Sequence, residues 1–312
     1  MTDAHPKRVG FGILMGMSTG VFWGLPFLVP QILHRFSSFE IAFGRFFFFG
    51  IISFLFLKPV FKVIARLNWT DRLKMMVLSV VGFWGYSIIL FYGVQQTDGI
   101  ISSLIVGLLP ITIPLFTKSR KHSGISFYTG LLILLAALLN LFLYPVLNGL
   151  VAVKTPSVSG VIALFLALAS WTVYPIANTR FLQHHTWIPR KDWSSVMGVV
   201  SIFCFLPIFA AQTDVGELVH RDGFSMYLVC CMALGFGSSW FANWLWNICS
   251  YHCPSEISGP LLVSEALFGL IYSFMYEGRA PRYYESVSIA LYLIGVVVTI
   301  RSQMSRSSRI QN

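Results

Sequence analysis

The chain has 312 residues, of which 56% are hydrophobic and only 11% are charged, and its mean hydropathy is +0.72. A soluble domain carries about 25% charged residues, so this composition excludes an ordinary soluble protein. The net charge of +10 does not indicate a nucleic-acid-binding protein, because the basic residues cluster in short connections between apolar segments. The five cysteines are odd in number and include no CxxC pair, which argues against a metal or disulfide framework.

Apolar runs recur along the whole chain, and each is long enough to cross a hydrocarbon core of about 30 Å as a helix. They predict an all-α polytopic membrane protein with ten transmembrane helices, because lipid admits only helices or closed barrels. The first run is too long for the apolar part of a signal peptide, so we expect it to remain as the first span. The approximate edges of the spans are 9–32, 39–57, 75–95, 99–117, 124–143, 157–181, 193–212, 225–248, 256–276 and 285–301.

The Lys and Arg residues predict the orientation of the chain, because cytoplasmic loops carry an excess of them. With the N-terminus placed in the cytoplasm, sixteen of the 22 fall in inside segments, five fall in outside segments and Arg45 lies within a span. We therefore expect a multi-pass protein of the bacterial inner membrane with both termini cytoplasmic. The outside residues are Arg35, Lys154, Arg221, Arg279 and Arg282.

The first and sixth spans resemble each other. GILMGMSTGVFWGLPF runs from Gly12 to Trp23 and just beyond, and GVIALFLALASWTVYP runs likewise from Gly160 to Trp171. A unit of five spans is odd in number, so a second copy must lie inverted in the membrane. Inverted repeats are typical of secondary transporters, whose binding sites lie near the midplane at the repeat interface. We predict two inverted five-helix repeats, at residues 1–148 and 149–312.

Four stretches carry a resemblance to a known family: GVFWG, YGVQQTDGIISSLIVGLLPITIPLF, GFGSSWFANWLWNICSYHCPSEISGPLLVSEALFG and YEGRAPRYYESVSIALYLIGVVV. By their order and spacing, the chain resembles the EamA-like branch of the drug/metabolite transporter superfamily. The resemblance implies ten helices in two inverted repeats, a central cavity open to one side, and export or exchange of small metabolites or drugs. One departure is Ala266, since family members often have proline directly after a glutamate like Glu265.

Glu265 is the one charged residue in the apolar stretch LLVSEALFGLIYSF of span nine. Nine residues into that span, it would lie about 13 Å deep, close to the midplane. Acids at this depth usually face a bundle interior or a wet cavity and mark substrate or proton paths. The alternative is a glutamate that only ties helices together.

Arg45 in span two is the expected partner of Glu265, because it is the only other charge placed deep in a span. It would either anchor a substrate carboxylate or phosphate, or extend its head group to the outer interface. If the two residues form a pair, neutralising either one alone should damage folding more than neutralising both.

Further candidates lie in spans whose family counterparts approach the cavity. Aromatic residues suit flat apolar or cationic solutes, and amides and hydroxyls add hydrogen bonds, although each such residue is more often a packing residue. Pro110 would free a backbone carbonyl for a substrate or a hinge, and Pro26 and Pro175 are expected to kink spans one and six. The substrate-binding or coupling candidates are Glu265, Arg45, Trp23, Trp84, Tyr86, Gln95, Ser103, Pro110, Trp171, Tyr174, Asn178, Trp240, Asn243 and Asn247.

Glycines recur every four residues along span one, at Gly12, Gly16, Gly20 and Gly24. This spacing places them along one face of the helix, where small residues let a neighbouring helix approach closely. Close packing is the favoured interpretation, and a face that slides during transport is the alternative.

The sequence thus predicts a secondary transporter that moves a small metabolite or drug-like solute by alternating access, in export or exchange. An amino acid or a similar zwitterion is favoured, because Arg45 suits an anionic group and the aromatic residues suit a flat or apolar part. There is no HExxH motif, nucleophile elbow or P-loop, so we expect no metal, cofactor or enzyme activity. An intramembrane enzyme and a channel are the alternatives. Expected partners are the substrate, the lipid bilayer and, if transport is coupled, protons; no nucleic acid is expected, and the assembly is a monomer or homodimer.

Overall fold

The computed structural model describes residues 8–116, 125–149, 156–253, 258 and 261–310, and the regular elements in these ranges are helical. Two π-helical segments, Val80–Trp84 and Ala233–Phe241, join α5 to α6 and α13 to α14. In chain order the α-helices are α1 Val9–Trp23, α2 Leu25–Ile32, α3 Ser38–Phe54, α4 Leu57–Arg66, α5 Trp69–Ser79, α6 Gly85–Gln96, α7 Gly99–Val106, α8 Leu109–Phe116, α9 Ile125–Leu147, α10 Val158–His184, α11 Arg190–Gln212, α12 Val215–His220, α13 Phe224–Met232, α14 Ala242–His252, α15 Val263–Glu277 and α16 Tyr283–Ile310.

The described part of the chain contains six helical stretches long and apolar enough to cross a membrane. They match predicted spans one, three, five, six, seven and eight, and shorter apolar helices match spans four and ten. Helices α3 and α15 stand where spans two and nine are predicted. A multi-pass helical membrane protein is therefore confirmed, whereas the count of ten spans and the inverted repeat stay predictions. The predicted start of span nine at residue 256 and the basic loop 118–121 lie outside the described residues.

The connection between spans two and three differs from the expectation. Asn68 caps α5 by accepting a hydrogen bond from the Asp71 N–H at 2.8 Å, so this helix begins at Trp69, six residues before the predicted edge. Helix α4, which was not predicted, precedes it and buries Val60 and Val63 against α11. Basic residues interrupt the apolar pattern of α4, which explains why hydropathy alone does not reveal it.

Two of the predicted spans break near their prolines and one does not. Span one breaks at Gly24, two residues before Pro26, and span four breaks at residues 107–108, just before Pro110. Pro175 lies within α10, which continues unbroken from Val158 to His184. The expected kink at Pro175 stays a prediction, because a continuous helix can still bend at a proline.

The glycine face of span one packs closely against its neighbours, as predicted. Helix α1 contacts α14 and α15, and a Cβ atom at Gly16 would lie 2.8 Å from Cys249 Sγ. A Cβ atom at Gly20 would overlap Ser264, the residue next to Glu265. The glycines therefore bring the helix that carries Glu265 against the first span.

Gly20→Ala is expected to lower the free energy of unfolding by about 1–3 kcal/mol, because the added methyl group overpacks the contact with Ser264. Gly10→Ala is the matched control, since a Cβ atom at Gly10 of the same helix would have no neighbour within 4 Å. Thermal unfolding of both purified variants in one detergent would measure the difference. Equal midpoints for the two variants would contradict the close contact.

Candidate functional site

A small central cavity of about 50 Å³ lies between helices from both halves of the chain. Its walls come from both sides of the Gly24 break, from the middle of α3, from the two π-helical segments and from α6, α10, α14 and α15. It contains both of the deeply placed charges that the sequence singled out. The lining residues are Trp23, Pro26, Arg45, Phe46, Gly82, Phe83, Tyr86, Trp171, Tyr174, Ser238, Ser239, Asn243 and Glu265.

Three serine hydroxyls hold the guanidinium group of Arg45. Its Nε donates to Ser239 Oγ at 2.9 Å, Nη1 to Ser87 Oγ at 3.2 Å and Nη2 to Ser238 Oγ at 3.4 Å. The Arg45 head group also lies 5.4 Å from the centre of the Phe46 ring. Neutral acceptors position this cation without cancelling its charge, so Arg45 remains able to attract an anionic group. Of the two alternatives for Arg45, the structure agrees with the one in which its head group lines the central cavity and not with the one in which it extends to the outer interface.

Glu265 lies in the first turn of α15, and only 8% of its surface is exposed. A one-residue turn at Leu262 precedes α15. The N-terminal end of a helix favours negative charge. Local structure therefore accommodates a carboxylate at this depth.

Arg45 and Glu265 line the same cavity, but no ion pair or hydrogen bond joins their side chains. Within the described residues, the Glu265 carboxylate has no hydrogen-bonding or ion-pairing partner. The structure therefore places Arg45 and Glu265 around the same central cavity without the direct ion pair expected from the sequence.

Two other buried glutamates, Glu40 and Glu285, also lie in the first turn of a helix, but their carboxylates have bonding partners. Glu40 accepts from Arg221 Nη1 at 2.9 Å and completes a capping box with Ser37. Glu285 accepts from both terminal nitrogens of Arg279, at 2.6 and 2.8 Å. Both of these carboxylates are fully engaged, in contrast to Glu265. Glu40 and Glu285 therefore stabilise the start of their helices, whereas the Glu265 carboxylate at the central cavity has no such bond among the described residues.

Each π-helical segment contributes neighbouring residues to the cavity. Val80–Trp84 supplies Gly82 and Phe83, and Ala233–Phe241 supplies Ser238 and Ser239. A π-helix adds a residue to the turn and shifts the faces on either side, and such segments are frequent at functional sites. Here the shift places two consecutive serines against Arg45.

Aromatic rings form one wall of the cavity. The rings of Tyr86 and Trp171 stack at 4.7 Å, and those of Trp171 and Tyr174 stack at 5.4 Å. Phe83 meets Tyr174 edge-on at 5.3 Å. This wall can stack against a flat solute or hold a cation.

Half of the candidate residues meet at this cavity, and the other half lie elsewhere. Those brought together are Glu265, Arg45, Trp23, Tyr86, Trp171, Tyr174 and Asn243. Those placed away from it are Trp84, Gln95, Ser103, Pro110, Asn178, Trp240 and Asn247.

Local contacts explain the placement of the polar residues that do not reach the cavity. Ser103 donates to the Gly99 carbonyl at 2.6 Å, and Asn178 accepts from Trp193 Nε1 at 2.7 Å. Asn247 is exposed, one turn beyond Asn243 on α14. Gln95 donates to the Phe36 carbonyl at 2.8 Å, at the mouth of a different cavity.

The remaining three pack against apolar neighbours. Trp84 stacks on Phe205 at 5.0 Å, and its buried Nε1 has no partner among the described residues. Trp240 stacks on Phe236 at 5.7 Å, and Pro110 is buried near the start of α8. In this structure these three residues therefore pack away from the central cavity.

Sequence reasoning missed the residues that hold Arg45. Ser238 and Ser239 form a hydroxyl pair inside an apolar span, a signal that was visible in GFGSSWF, and Ser87 follows Tyr86 directly. Their role depends on the π-helical shift, which composition does not reveal. The other unpredicted lining residues are Pro26, Phe46, Gly82 and Phe83.

A larger cavity of about 1100 Å³ lies at the predicted outer ends of the helices and shares no lining residue with the central one. Asp98 lines it and caps α7 by accepting a hydrogen bond from the Ile101 N–H at 2.8 Å. Burial raises the pKa of the Asp98 carboxyl to about 6. Gln95 and Arg279 line the same outer cavity.

Among the residues that the structure describes, no group of three His, Cys, Asp or Glu side chains could hold a metal ion.

Comparisons with known proteins agree with the resemblance inferred from the sequence. Residues 10–144 match the model of the EamA-like transporter family. This part of the chain is therefore similar to the EamA-like transporter family. The Escherichia coli protein YtfF, described as an inner membrane protein, is 25% identical over 94% of this chain and 95% of its own length. The Bacillus subtilis protein YdfC, described as an uncharacterized transporter, is 26% identical over 77% of this chain and 74% of its own.

A second Bacillus subtilis relative, the uncharacterized transporter YoaV, is 24% identical over 77% of this chain and 79% of its own. One solved crystal structure is similar in fold, with a TM-score of 0.61 and 16% identity over 92% of this chain and 95% of that one. The chain is therefore a multi-pass membrane protein that is similar over most of its length to an inner membrane protein and to uncharacterized transporters. The EamA-like match ends at residue 144, four residues before the predicted boundary between the two halves.

Proposed function

We propose that the protein is a secondary transporter that carries a small amphipathic or zwitterionic metabolite across the inner membrane by alternating access. The EamA-like match and the named transporter relatives support this class. The observation that carries the proposal is the placement of Arg45 and Glu265 around one central cavity without a contact between their side chains. Burying two separated charges is costly, and such charges within a membrane usually serve a substrate or ion path.

The lining of the cavity supports a division of roles. Arg45, held from one side by serine hydroxyls, binds an anionic group of the substrate. Glu265 binds a cationic group or a proton. The rings of Tyr86 and Trp171 stack against the flat or apolar part. A zwitterion such as an amino acid has all three features.

The positions of the helix breaks support alternating access. Turns interrupt the regular helix at Gly24 and at Leu262, and residues that line the central cavity, Trp23 and Glu265, lie within three residues of these turns. Broken helices at a central site are typical of transporters built from inverted repeats. We place both termini in the cytoplasm from the Lys and Arg distribution, so the larger cavity opens outward. Movement is by export or exchange.

A ligand screen on the purified protein tests this function. Zwitterionic metabolites are added one at a time, and the unfolding temperature is recorded for the wild type and for Arg45→Gln. A true substrate is expected to stabilise the wild type and to have a clearly smaller effect on Arg45→Gln. The same compound should then show saturable counterflow in proteoliposomes, competed by its unlabelled form.

Three results would contradict the proposal. Equal stabilisation of the wild type and Arg45→Gln would place binding away from the central cavity. Flux that rises linearly with concentration, without competition, would indicate a channel. A chemically altered product would indicate an enzyme.

A further inference from the structure

A groove of about 760 Å³ opens on the side of the bundle between α5 and α10, away from the central cavity. The two helices contact each other along this groove. Its described lining comes from these two helices and from His185, which follows α10: Thr70, Asp71, Leu73, Lys74, Val77, Leu78, Ala177, Arg180, Phe181, His184 and His185.

The groove is polar at one end and apolar at the other. Lys74 lies in the first half of α5, and Arg180 and His184 lie in the last two turns of α10, at the face that the Lys and Arg distribution predicts to be cytoplasmic. One turn further into the membrane, the groove is lined by Val77 and Ala177. The polar end thus lies at headgroup level and the apolar end at the level of acyl chains.

The cations at the polar end are available to a ligand. The Arg180 side chain is exposed and, within the described ranges, makes no ion pair or hydrogen bond. Lys74 is 61% exposed, and its Nζ lies 2.9 Å from Asp71 Oδ1, which leaves further N–H groups free. Asp71 is also engaged by His185 Nε2 at 3.0 Å, so this acid is already satisfied from both sides. With two cations and one acid, the polar end of the groove carries a net positive charge, and Arg180 is the cation without an acidic partner among the described residues.

The apolar end is equally unfilled by protein. Leu73 is 44% exposed and Val77 is 59% exposed, and both face the groove. Buried Leu78 and Phe181 form its floor. In a membrane such a surface is covered by a hydrocarbon chain.

We propose that this groove binds one anionic phospholipid of the cytoplasmic leaflet, with the phosphate against Lys74 and Arg180 and an acyl chain along Leu73, Val77 and Ala177. Charge complementarity selects an anionic headgroup, since a basic pocket between helices on this side of a membrane attracts one. The exposed apolar side chains beside the cations favour a lipid over a soluble anion. The site is independent of the central cavity and of any transported solute.

Native mass spectrometry tests the proposal on the full-length protein, released from micelles that contain equal amounts of dioleoyl phosphatidylglycerol and dioleoyl phosphatidylcholine. The wild type is expected to retain one phosphatidylglycerol in preference to phosphatidylcholine. Arg180→Gln should weaken phosphatidylglycerol binding about fivefold, which corresponds to about 1 kcal/mol for one cation at the membrane surface. Lys74→Gln combined with Arg180→Gln should weaken it about 25-fold.

Lys62→Gln is the matched control, because Lys62 is an exposed cation on the same predicted face but does not line the groove. It should leave the affinity for phosphatidylglycerol unchanged. An equal loss in Lys62→Gln and Arg180→Gln would overturn the proposal, because the lipid would then respond only to the overall charge of that face.

Two further measurements separate the lipid from other occupants. Val77→Trp fills the apolar end of the groove, so it should lower the retention of both lipids. Because Val77 is exposed, the variant should unfold at the wild-type temperature. Glycerol phosphate at millimolar concentration should not displace the lipid. Displacement by glycerol phosphate would show that the groove binds a soluble anion, and unchanged lipid retention in Val77→Trp would show that no acyl chain occupies its apolar end. Either result would overturn the proposal.

Discussion

Glu265→Gln is expected to lower the transport rate about tenfold to a hundredfold at fixed substrate concentration. This range corresponds to the loss of a hydrogen bond to a charged group, about 1.5–3 kcal/mol. The same substitution should leave the unfolding temperature unchanged or raise it, because the carboxylate has no bonding partner in the described structure and its burial is costly. Counterflow in proteoliposomes and thermal unfolding measure the two effects on one preparation.

Glu40→Gln is the control for this prediction, because Glu40 is equally buried in the first turn of a spanning helix. Its carboxylate is engaged by Arg221 and by the backbone N–H of Ser37, at 2.9 and 2.7 Å. We expect it to lose stability, by about 1–3 kcal/mol, and to keep its transport rate within about twofold. A Glu265→Gln variant that loses stability and keeps transport would assign Glu265 the structural role.

The pH profile of the Glu265→Gln variant distinguishes two roles of the carboxylate. If Glu265 carries a proton, the variant should lose the pH dependence of transport together with its accumulation against a gradient. If it contacts only the substrate, the substrate affinity should fall and the pH profile should stay unchanged.

Arg45→Gln is expected to weaken substrate binding by about tenfold to a hundredfold, but only for compounds with an anionic group. The guanidinium faces the cavity with its charge uncompensated by any acid in direct contact, so its removal costs attraction for an anion. Arg45→Lys should restore little of the lost substrate affinity, because an ammonium group cannot form the hydrogen bonds to three serines that the planar guanidinium group forms. Ligand-dependent stabilisation measures the affinity of each variant.

The substrate itself provides the internal control. An analogue that lacks the anionic group should bind the wild type and Arg45→Gln equally. Arg35→Gln provides a second control, because the Arg35 side chain is 60% exposed and, among the described residues, its ion-pair partner is Asp222 alone. If that variant loses as much affinity as Arg45→Gln, general electrostatic attraction rather than a specific contact explains the effect.

The charges of the site could be predicted from the sequence, and the way they are held could not. An isolated acid and an isolated base in apolar spans stand out because lipid makes each of them costly. Their separation depends on Ser87, Ser238 and Ser239, which hold Arg45 away from a direct pair. Hydroxyls in apolar helices usually bond their own backbone, so their number in a sequence does not identify the ones that face a cavity.

Helix register explains the remaining misplacements. Trp84 and Asn178 lie in the correct spans, yet their side chains point to Phe205 and Trp193. In span three the π-helical segment changes which residues face inward, so a count of 3.6 residues per turn from Tyr86 assigns the wrong face upstream. Pattern reasoning therefore identified the helices of the site with more success than the faces.

The central cavity, at about 50 Å³, has room for a few water molecules, whereas metabolite pockets usually measure about 300–1,000 Å³. Under the proposed transport function, a solute binds to an expanded form of the protein, and its apparent affinity is the intrinsic affinity reduced by the fraction of molecules in that form. If about one molecule in a hundred is expanded, binding is weakened about a hundredfold. A substitution that favours the expanded form would then tighten binding of every substrate without touching any of them, and the ratio between competing substrates would stay the same.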